Sequence, residues 1–501
     1  MGAKVYQVQN VLEGSAGYRV KVNGKEAALN RARVSACPYN RRWPGHQRDM
    51  NQTEMIDFLS METDGPVEIE IETEKAFEKV MIRPLSLGIE PEIEGRTIRF
   101  TLEEPGYLTV EPYGRRRALH IFADPVKEYR AQGDVIRFGP GVHDAGMIEL
   151  HSNQTLFIDA GAVVYGCVHA IDAENIRIIG RGILDNSRNR AKILYEVSAE
   201  GNAQAVNNAE RIHTIQLEYC TNVEIDGITI RDSLVYNIRP VGCRNLMIRN
   251  VKIIGCWRYN SDGIDMHNCE NVLIENCFLR TFDDSICVKG FDCYYEGDVE
   301  AAVKAAMYRN GESYDVFRNV LVRGCVIWND WGKALEIGAE TRAEEISQIT
   351  FEDCDVIHVT GPVLDCMNVD YADVHDVIYR DIRVEYDETI PQPVIQEQDA
   401  VQYHELTILS TYAPALMCVE VLFHPEYSAG GSRRGRNRRI LFEDISLTGW
   451  QEPRVFLKGI DEEHGCREIT IRGLKWNGIP VKELNEGQLH VGAGCAEVVI
   501  E

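Results

Sequence analysis

Hydrophobic and polar residues alternate along the first part of the chain. Apolar residues occupy every second position in several short segments, including 18–22, 67–71 and 97–102. This period of two is typical of half-buried β-strands. Turn signals such as Asn23-Gly24 and Pro105-Gly106 separate the segments. Several short strands at this spacing predict a small β-sandwich domain over residues 1–125.

A repeating pattern begins after Asp124-Pro125. A polar residue followed by an apolar residue opens a similar unit about every 23 to 29 residues, and two longer intervals indicate insertions. The openers are Asn222-Val223, Asn245-Leu246, Asn271-Val272, Asn319-Val320, Gln348-Ile349, Asp376-Val377, Arg439-Ile440 and Glu468-Ile469. A period in the twenties with many β-branched residues indicates a solenoid, in which each unit stacks on the next.

One position within the repeat tests this register. The sixth residue after each opener is apolar in all eight units: Ile228, Val251, Cys277, Cys325, Cys354, Ile382, Ile445 and Leu474. This column predicts a stacked interior ladder in which the three cysteines act as small core hydrophobes. A β-propeller would need about 40 to 45 residues per unit. We therefore predict an all-β chain with a right-handed parallel β-helix over residues 126–501.

Insertions and one unusual loop stand outside this repeat. The insertions cover 187–212, 292–316 and 387–437, and they could block one end of a groove. An Ala-rich stretch at 297–309 is predicted to be helical, and the last insertion contains the basic sequence Arg433-Arg434-Gly435-Arg436. In the first domain, the aromatic and basic segment 39–48 either reaches toward the cleft or packs at the domain interface.

Composition narrows the class of protein. The chain has 501 residues and a net charge of −25, which argues against a nucleic-acid partner. It has no apolar run long enough to span a membrane, and its start lacks a secretory apolar region. Its 15 cysteines lack zinc-site spacing and are expected to be reduced thiols. We expect a cytoplasmic protein without metal, cofactor or membrane partner, and a homo-oligomer is possible.

Two acidic motifs supply the candidate chemistry. Asn260-Ser261-Asp262-Gly263 is followed about one repeat later by Phe282-Asp283-Asp284-Ser285, at the same phase of the β pattern. Neighbouring strands lie about 4.8 Å apart, so Asp262, Asp283 and Asp284 should meet on one outer surface. Crowded carboxylates push their pKa values apart, as acid–base catalysis requires. Calcium binding by the same oxygens is the alternative, which a nearby lysine disfavours.

Further candidates come from superposing the repeats. Residues 262–265 align with 284–287, then with 333–336, and more weakly with 365–368. The column predicts Lys333, Glu336, His267, Asn260 and Asn368 as substrate-binding residues. Lys333 could orient Asp283, bind a sugar hydroxyl, or form a salt bridge in a surface ladder.

At these motifs the chain resembles glycoside hydrolase family 28, the polygalacturonase family, whose motifs are NTDG, a DD pair, GHG and RIK. The resemblance covers about residues 130–480 and implies an oligosaccharide substrate. It implies that Asp283 is the general acid, that Asp262 and Asp284 activate water, and that the anomeric configuration inverts. A sandwich before a β-helix also resembles the dextranase and isopullulanase family.

The chain departs from the family 28 pattern at two motifs. Gly332-Lys333-Ala334 stands where the family has GHG, and Asp365-Cys366-Met367 stands where it has RIK. In the family, the cationic residues of these two motifs hold the uronic carboxylate of pectin. Because this chain lacks them, a neutral sugar or a differently held uronide is expected. We predict an exo-acting hydrolase of imported oligosaccharides. The alternatives are a calcium-dependent polysaccharide lyase with Lys333 as its base, and a carbohydrate-binding β-helix without catalysis.

Overall fold

The computed structural model describes most of the chain. The described residues are 2–9, 12, 17–36, 53–188, 212–258, 260–291, 299–386, 415–424, 428 and 433–501, with two short backbone strands at 195–197 and 203–205. The aromatic and basic segment 39–48 lies outside this set, as does most of the insertions at 187–212 and 387–437.

Two antiparallel-rich sheets form the first part of the fold. Their strands are β1 (Lys4–Val5), β2 (Tyr18–Val22), β3 (Lys25–Ala27), β4 (Asn30–Ser35), β5 (Thr53–Thr63), β6 (Val67–Thr73), β7 (Met81–Arg83), β8 (Glu92–Glu94), β9 (Thr97–Leu102), β10 (Gly106–Arg115) and β11 (Leu119–Pro125), with a 3-10 turn at Leu85–Leu87. One sheet runs β1-β5-β11-β10-β7 with β4 beside β5, and the other runs β3-β2-β6-β9-β8. Their apolar faces share one core, as the alternating pattern predicts. The boundary of a separate domain at residue 125 stays a prediction.

A second, much larger sheet system follows. Its strands are β12 (Asp134–Phe138), β13 (Gly141–Glu149), β14 (Gln154–Ile158), β15 (Ala162–Ile171), β16 (Glu174–Gly180), β17 (Ile183–Asp185), the hairpin β18 (Tyr195–Val197) and β19 (Ala203–Ala205), β20 (Ile215–Glu218), β21 (Thr221–Asp226), β22 (Thr229–Arg231), β23 (Ile238–Val241), β24 (Arg244–Arg249), β25 (Lys252–Ile254), β26 (Ile264–His267), β27 (Glu270–Glu275), β28 (Phe278–Thr281), β29 (Ile286–Lys289), the hairpin β30 (Tyr308–Arg309) and β31 (Glu312–Ser313), β32 (Val316–Arg323), β33 (Val326–Asn329), β34 (Leu335–Ile337), β35 (Glu345–His358), β36 (Leu364–Asn368), β37 (Asp373–Glu385), β38 (Met417–Val421), β39 (Arg436–Glu443), β40 (Ser446–Thr448), β41 (Val455–Lys458), β42 (Cys466–Arg472), β43 (Lys475–Trp476), β44 (Ile479–Pro480), β45 (Leu489–Val491) and β46 (Cys495–Ile500). Helix α1 (Val299–Met307) lies within the predicted helical stretch 297–309 and is shorter than predicted.

The strands of this system stack in parallel on three faces, which confirms the predicted parallel β-helix. The opening face contains the repeat openers and runs through β21, β24, β27 and β32. The sandwich face runs through β22, β25, β28 and β33. The site face runs through β23, β26, β29, β34, β36 and β38.

The repeat openers occupy a special backbone conformation. Asn222, Asn245, Asn271 and Asn319 all have φ between 56 and 59°, a left-handed region that asparagine tolerates better than most residues. Each amide donates to the previous one, with Nδ2–Oδ1 distances such as 2.9 Å from Asn245 to Asn222. The ladder therefore marks the same corner in every coil. The apolar column six residues later is fully buried, which confirms the predicted core role of its cysteines.

The sandwich packs against the β-helix through an apolar interface that encloses paired charges. Phe58, Phe122, Phe278 and Trp328 belong to one cluster of buried side chains shared by the two parts. The Lys252 ammonium, which is 1% exposed, contacts both carboxylate oxygens of Asp124 at 2.9 and 3.0 Å. The sandwich thus packs on the sandwich face of the β-helix. Within the described residues, no helix has the length and apolarity needed to cross a membrane.

Candidate active site

Three aspartates converge where the sandwich face turns into the site face. Asp262 lies in the turn before β26, and Asp283 and Asp284 lie in the turn of the next coil, before β29. One carboxylate oxygen from each residue lies within 4.8 Å of the other two. Asp262 and Asp283 are 2% and 6% exposed. The cluster predicted from the two motifs therefore forms.

Strand register and backbone contact bring the two turns together. Ile264 pairs with Ile286, and Ile286 pairs with Leu335, as the first two alignments predict. Gly263 permits the close approach, because a Cβ atom there would lie 2.2 Å from the Ser285 carbonyl oxygen. A Cβ at Gly332 would lie 2.4 Å from the Asp284 nitrogen. Both glycines are thus needed for turns to stack at this spacing.

Two buried asparagines hold these turns from beneath. Asn237 donates its Nδ2 to the Asp262 carbonyl oxygen at 2.7 Å. Asn329 donates its Nδ2 to the Asp283 carbonyl oxygen at the same distance and is within reach of the Lys333 carbonyl oxygen at 3.1 Å. These bonds fix the backbone of the acidic turns, and the carboxylates depend on that backbone for their positions.

The electrostatics favour a shared proton. Burial, followed by repulsion from Asp284, raises the pKa of Asp283 well above its ordinary value. Burial, followed by repulsion from Asp265 and Asp283, also raises the pKa of Asp262. The Asp283 Oδ1 accepts the Asp284 backbone N–H at 3.0 Å. Like charges this close are not all ionised at once, so the cluster can hold a proton at a higher pH than an isolated aspartate can.

Lys289 at the end of β29 is a cation that the motif analysis missed. Its ammonium lies 3.1 Å from Asp265 Oδ2, 3.7 Å from Asp262 Oδ2 and 3.8 Å from Asp284 Oδ2. It also lies 3.7 Å from Glu340 Oε2. A sequence signal existed, since Ile286 and Val288 point into the core and period-two alternation turns Lys289 outward beside Cys287.

Lys333 is present at the site but is already paired. Its ammonium contacts Glu336, and it lies 2.7 Å from Asp365 Oδ2. Burial lowers the pKa of Lys333, but the Asp365 and Glu336 carboxylates outweigh it and raise the pKa well above the ordinary value. The backbone N–H of Lys333 donates to Asp284 Oδ1 at 2.9 Å. Lys333 therefore links the aspartate cluster to a second group of carboxylates.

The weakest of the predicted alignments is wrong. Asp365 pairs with Glu336 across β34 and β36, not with Lys333, because Ala334 donates its N–H to the Pro362 carbonyl oxygen. The register is therefore displaced by three residues. Asp365 lies in the outward column of Cys287 and Glu336, where its side chain reaches Lys333 diagonally.

The predicted binding residues Asn260, His267 and Asn368 lie in three different environments. Asn260 is partly exposed in the turn that carries Asp262, with a left-handed φ of 53°. His267 is buried on β26, and its Nδ1 lies 2.9 Å from the Gly290 carbonyl oxygen. The Asn368 amide bonds internally, with Thr341 Oγ1 at 2.7 Å and the Ala372 carbonyl oxygen at 2.8 Å. The structure thus does not bring Asn368 to the cluster.

The carboxylate oxygens of Asp262, Asp283 and Asp284 could in principle hold a hard cation. The Lys289 ammonium already contacts two of these three carboxylates. A second group that could bind a metal consists of Asp284, Cys287 and Glu336. Within this group the Cys287 thiol donates a hydrogen bond to Glu336 Oε2 at 3.3 Å. A protein cation therefore supplies the positive charge that a metal would bring.

The fold and this acidic cluster define a parallel β-helix with three clustered carboxylates at the edge of one face. The sequence profile of glycosyl hydrolases family 28 matches residues 148–408, more than half of the chain. The chain belongs to glycosyl hydrolases family 28, a family of glycoside hydrolases.

Individual relatives cover less of the chain. A "Polygalacturonase" of Gossypium barbadense is 25% identical over 232 residues, which is 44% of this chain and 53% of that protein. A "Probable polygalacturonase" of Vitis vinifera is 36% identical over 86 residues, or 17% of this chain and 18% of that protein. The chain thus matches about half or less of the length of these relatives.

A solved structure matches the architecture over the whole chain. "Dex49A from Penicillium minioluteum" superposes with a TM-score of 0.63 at 13% identity, covering 99% of this chain and 96% of that one. At this identity the match concerns the fold alone. It includes the sandwich that precedes the β-helix.

Proposed function

We propose that this chain hydrolyses O-glycosidic bonds of an oligosaccharide with Asp283 as general acid. Asp262 and Asp284 would activate the attacking water. The observation that carries the proposal is the convergence of the three carboxylates within 4.8 Å, from two stacked turns at the edge of the site face. The raised pKa of Asp283 supports its role, because a general acid must keep its proton until the glycosidic oxygen accepts it.

The stereochemical outcome is a separate part of the proposal. The resemblance to family 28 supports inversion. Inverting glycosidases usually separate their carboxyl groups by about 6.5–9.5 Å, whereas retaining ones separate them by about 5–5.5 Å. The separation within 4.8 Å is nearer to the retaining value. The anomeric configuration of the first product, followed by proton NMR, decides between the two.

The charge around the cluster supports a neutral sugar as substrate. Lys289 contacts four carboxylates and Lys333 contacts two. Neither ammonium has surplus charge for a uronic carboxylate. Glu420 adds a further carboxylate to the site face, and its pKa is raised to about 7 by burial and then by Asp365. A uronide would add one more negative charge to this surface, at a Coulombic cost.

A lyase fits the site less well. Abstraction of a proton needs a basic group that is neutral at the working pH. Asp365 and Glu336 raise the pKa of Lys333 well above its ordinary value despite its burial, so this amine stays protonated. The hydrolase therefore remains the favoured activity.

Exo action and a cytoplasmic location complete the proposal. Helix α1 packs Val303 and Met307 against Val241 and Phe291, at the border of the site face opposite the aspartates. A helix at this border supports action on chain ends. The cysteines that the structure describes are free thiols, which supports a reducing compartment. Product sizes over time and cell fractionation test these two points.

The decisive experiment is a product assay on a panel of oligosaccharides. The panel contains oligogalacturonides, rhamnogalacturonan fragments and α-gluco-oligosaccharides, each incubated with the native protein and with Asp283→Asn. We expect cleavage of neutral sugars, reduced about 10²- to 10⁴-fold in the variant. Cleavage of oligogalacturonides alone would contradict the substrate argument. Equal hydrolysis by the variant would contradict the role of Asp283.

A further inference from the structure

The Lys289 ammonium forms ion pairs with two of the three aspartates. Its ammonium lies within 3.8 Å of Asp262 and Asp284. Asp283 is not among its ion-pair partners in the described part of the chain, and its Oδ1 accepts a backbone N–H instead. The Lys289 side chain is 4% exposed, so water screens these contacts little.

We propose that Lys289 is a positioning residue that determines which aspartate carries the catalytic proton: its ammonium pairs with the carboxylates of Asp262 and Asp284 and leaves the proton on Asp283. This inference rests on the proposed hydrolase. It assigns the acid and the base to particular side chains by the distance of each from one fixed cation.

Other groups also face the Lys289 ammonium. Around it lie Asp262 from the turn before β26, Asp265 and His267 on β26, Asp283 and Asp284 from the turn before β29, Cys287 on its own strand, Glu336 on β34, Glu340 after β34, and the ring of Tyr236 at 5.3 Å from the turn before β23. Most of these groups are acidic, and their combined charge exceeds that of one ammonium. At least one of these acidic groups is therefore expected to be neutral.

The same kinds of force act on the pKa values of Asp262 and Asp283, so the assignment depends on which carboxylates the ammonium contacts. Burial raises the pKa of Asp262, and the neighbouring carboxylates raise it further, while Lys289 opposes them. For Asp283 the largest contributions are burial and then repulsion from Asp284, which raise its pKa, while Lys289, which lies beyond ion-pair distance, lowers it. Asp265 stays beside the ammonium at 3.1 Å and fixes its position. If the ammonium were removed, Asp262 would compete with Asp283 for the proton.

The kinetic test compares pH profiles of kcat/KM. Lys289→Met removes the charge and keeps the length of the side chain. We expect the acidic limb, which reports ionisation of the base, to move up by about one to three pH units, because loss of a nearby cation raises carboxyl pKa values. The alkaline limb, which reports Asp283, should move less. The bell-shaped pH profile of kcat/KM should therefore become narrower. Lys289→Arg should keep the native profile to within about half a unit.

Lys458→Met is the matched control, because Lys458 is an exposed lysine on the same face in β41, outside the cluster. Its profile should match the native one. If Lys289→Met lowers the rate equally at every pH with unchanged limbs, Lys289 has only a structural role and the proposal is wrong.

A second measurement needs neither activity nor a folded variant at position 289. Carbon-13 NMR of the native protein labelled at the aspartate carboxyl carbon, assigned with Asp→Asn variants, reports the protonation of each aspartate. We expect Asp283 to be protonated at a pH where Asp262 is ionised. A proton on Asp262 instead would overturn the proposal. If no panel sugar is cleaved, the hydrolase fails while this titration still decides the location of the proton.

Discussion

Asn329 offers a direct test of how the acidic turns are held. Its Nδ2 has four acceptors within 3.2 Å, which include the Asp283 carbonyl oxygen and Ser285 Oγ, and its Oδ1 accepts the Trp331 N–H at 3.1 Å. An amide carries two hydrogens, so it can satisfy two of these acceptors at a time. Asn329→Ala removes about three hydrogen bonds in a fully buried place.

The expected loss follows from these contacts. Each buried hydrogen bond contributes about 1 kcal/mol net, and an acceptor left unsatisfied costs more. We expect the free energy of unfolding to fall by about 3 to 5 kcal/mol. The Asp283 backbone would also lose its anchor. A displacement near 1 Å lowers catalysis by about 100-fold, so kcat/KM should fall by that factor.

The assay pairs denaturant unfolding with hydrolysis of the best panel sugar. Asn319→Gly is the matched control, because Asn319 has a left-handed φ of 59° and one exposed amide contact at 2.6 Å to Asn271. It should cost less than about 1 kcal/mol and leave the rate unchanged. If Asn329→Ala costs no more than this control, the argument that Asn329 holds the turn is refuted.

Three further outcomes are expected. Glu420→Gln should stabilise the protein by up to about 3 kcal/mol above pH 7 and have little effect below about pH 4.5. The folded-state pKa of Glu420 is raised to about 7, so ionising it costs stability as the pH rises through this range; equal effects at both pH values in unfolding curves would contradict the assignment. Asp124→Asn should destabilise the fold by about 3 to 5 kcal/mol in thermal unfolding, because it leaves the Lys252 ammonium buried without its anion. A chelator should leave hydrolysis unchanged, since Lys289 already balances the aspartates, and recovery of lost activity by added calcium would show the opposite.

Several features could be predicted from sequence because they recur in every coil. The apolar column through Cys277, Cys325 and Cys354 is periodic, since each interior side chain must stack on the same position of its neighbour. The same period placed Asp262 and Asp284 at one phase. Their turns lie in adjacent coils, where the number of residues per turn had little room to change the register.

Tertiary structure alone decided the partners of the charged groups. Outward side chains are not constrained by stacking in the core, and turns of unequal length separate successive strands of the site face. Asp365 was therefore aligned three residues from its true neighbour, and its ion pair with Lys333 was not foreseen. Lys289 belongs to no motif, and only the stacked coils bring its ammonium between four carboxylates. The sequence by itself determined the β-helix and the aspartate cluster, whereas the charge balance of the site depended on turn lengths and diagonal contacts.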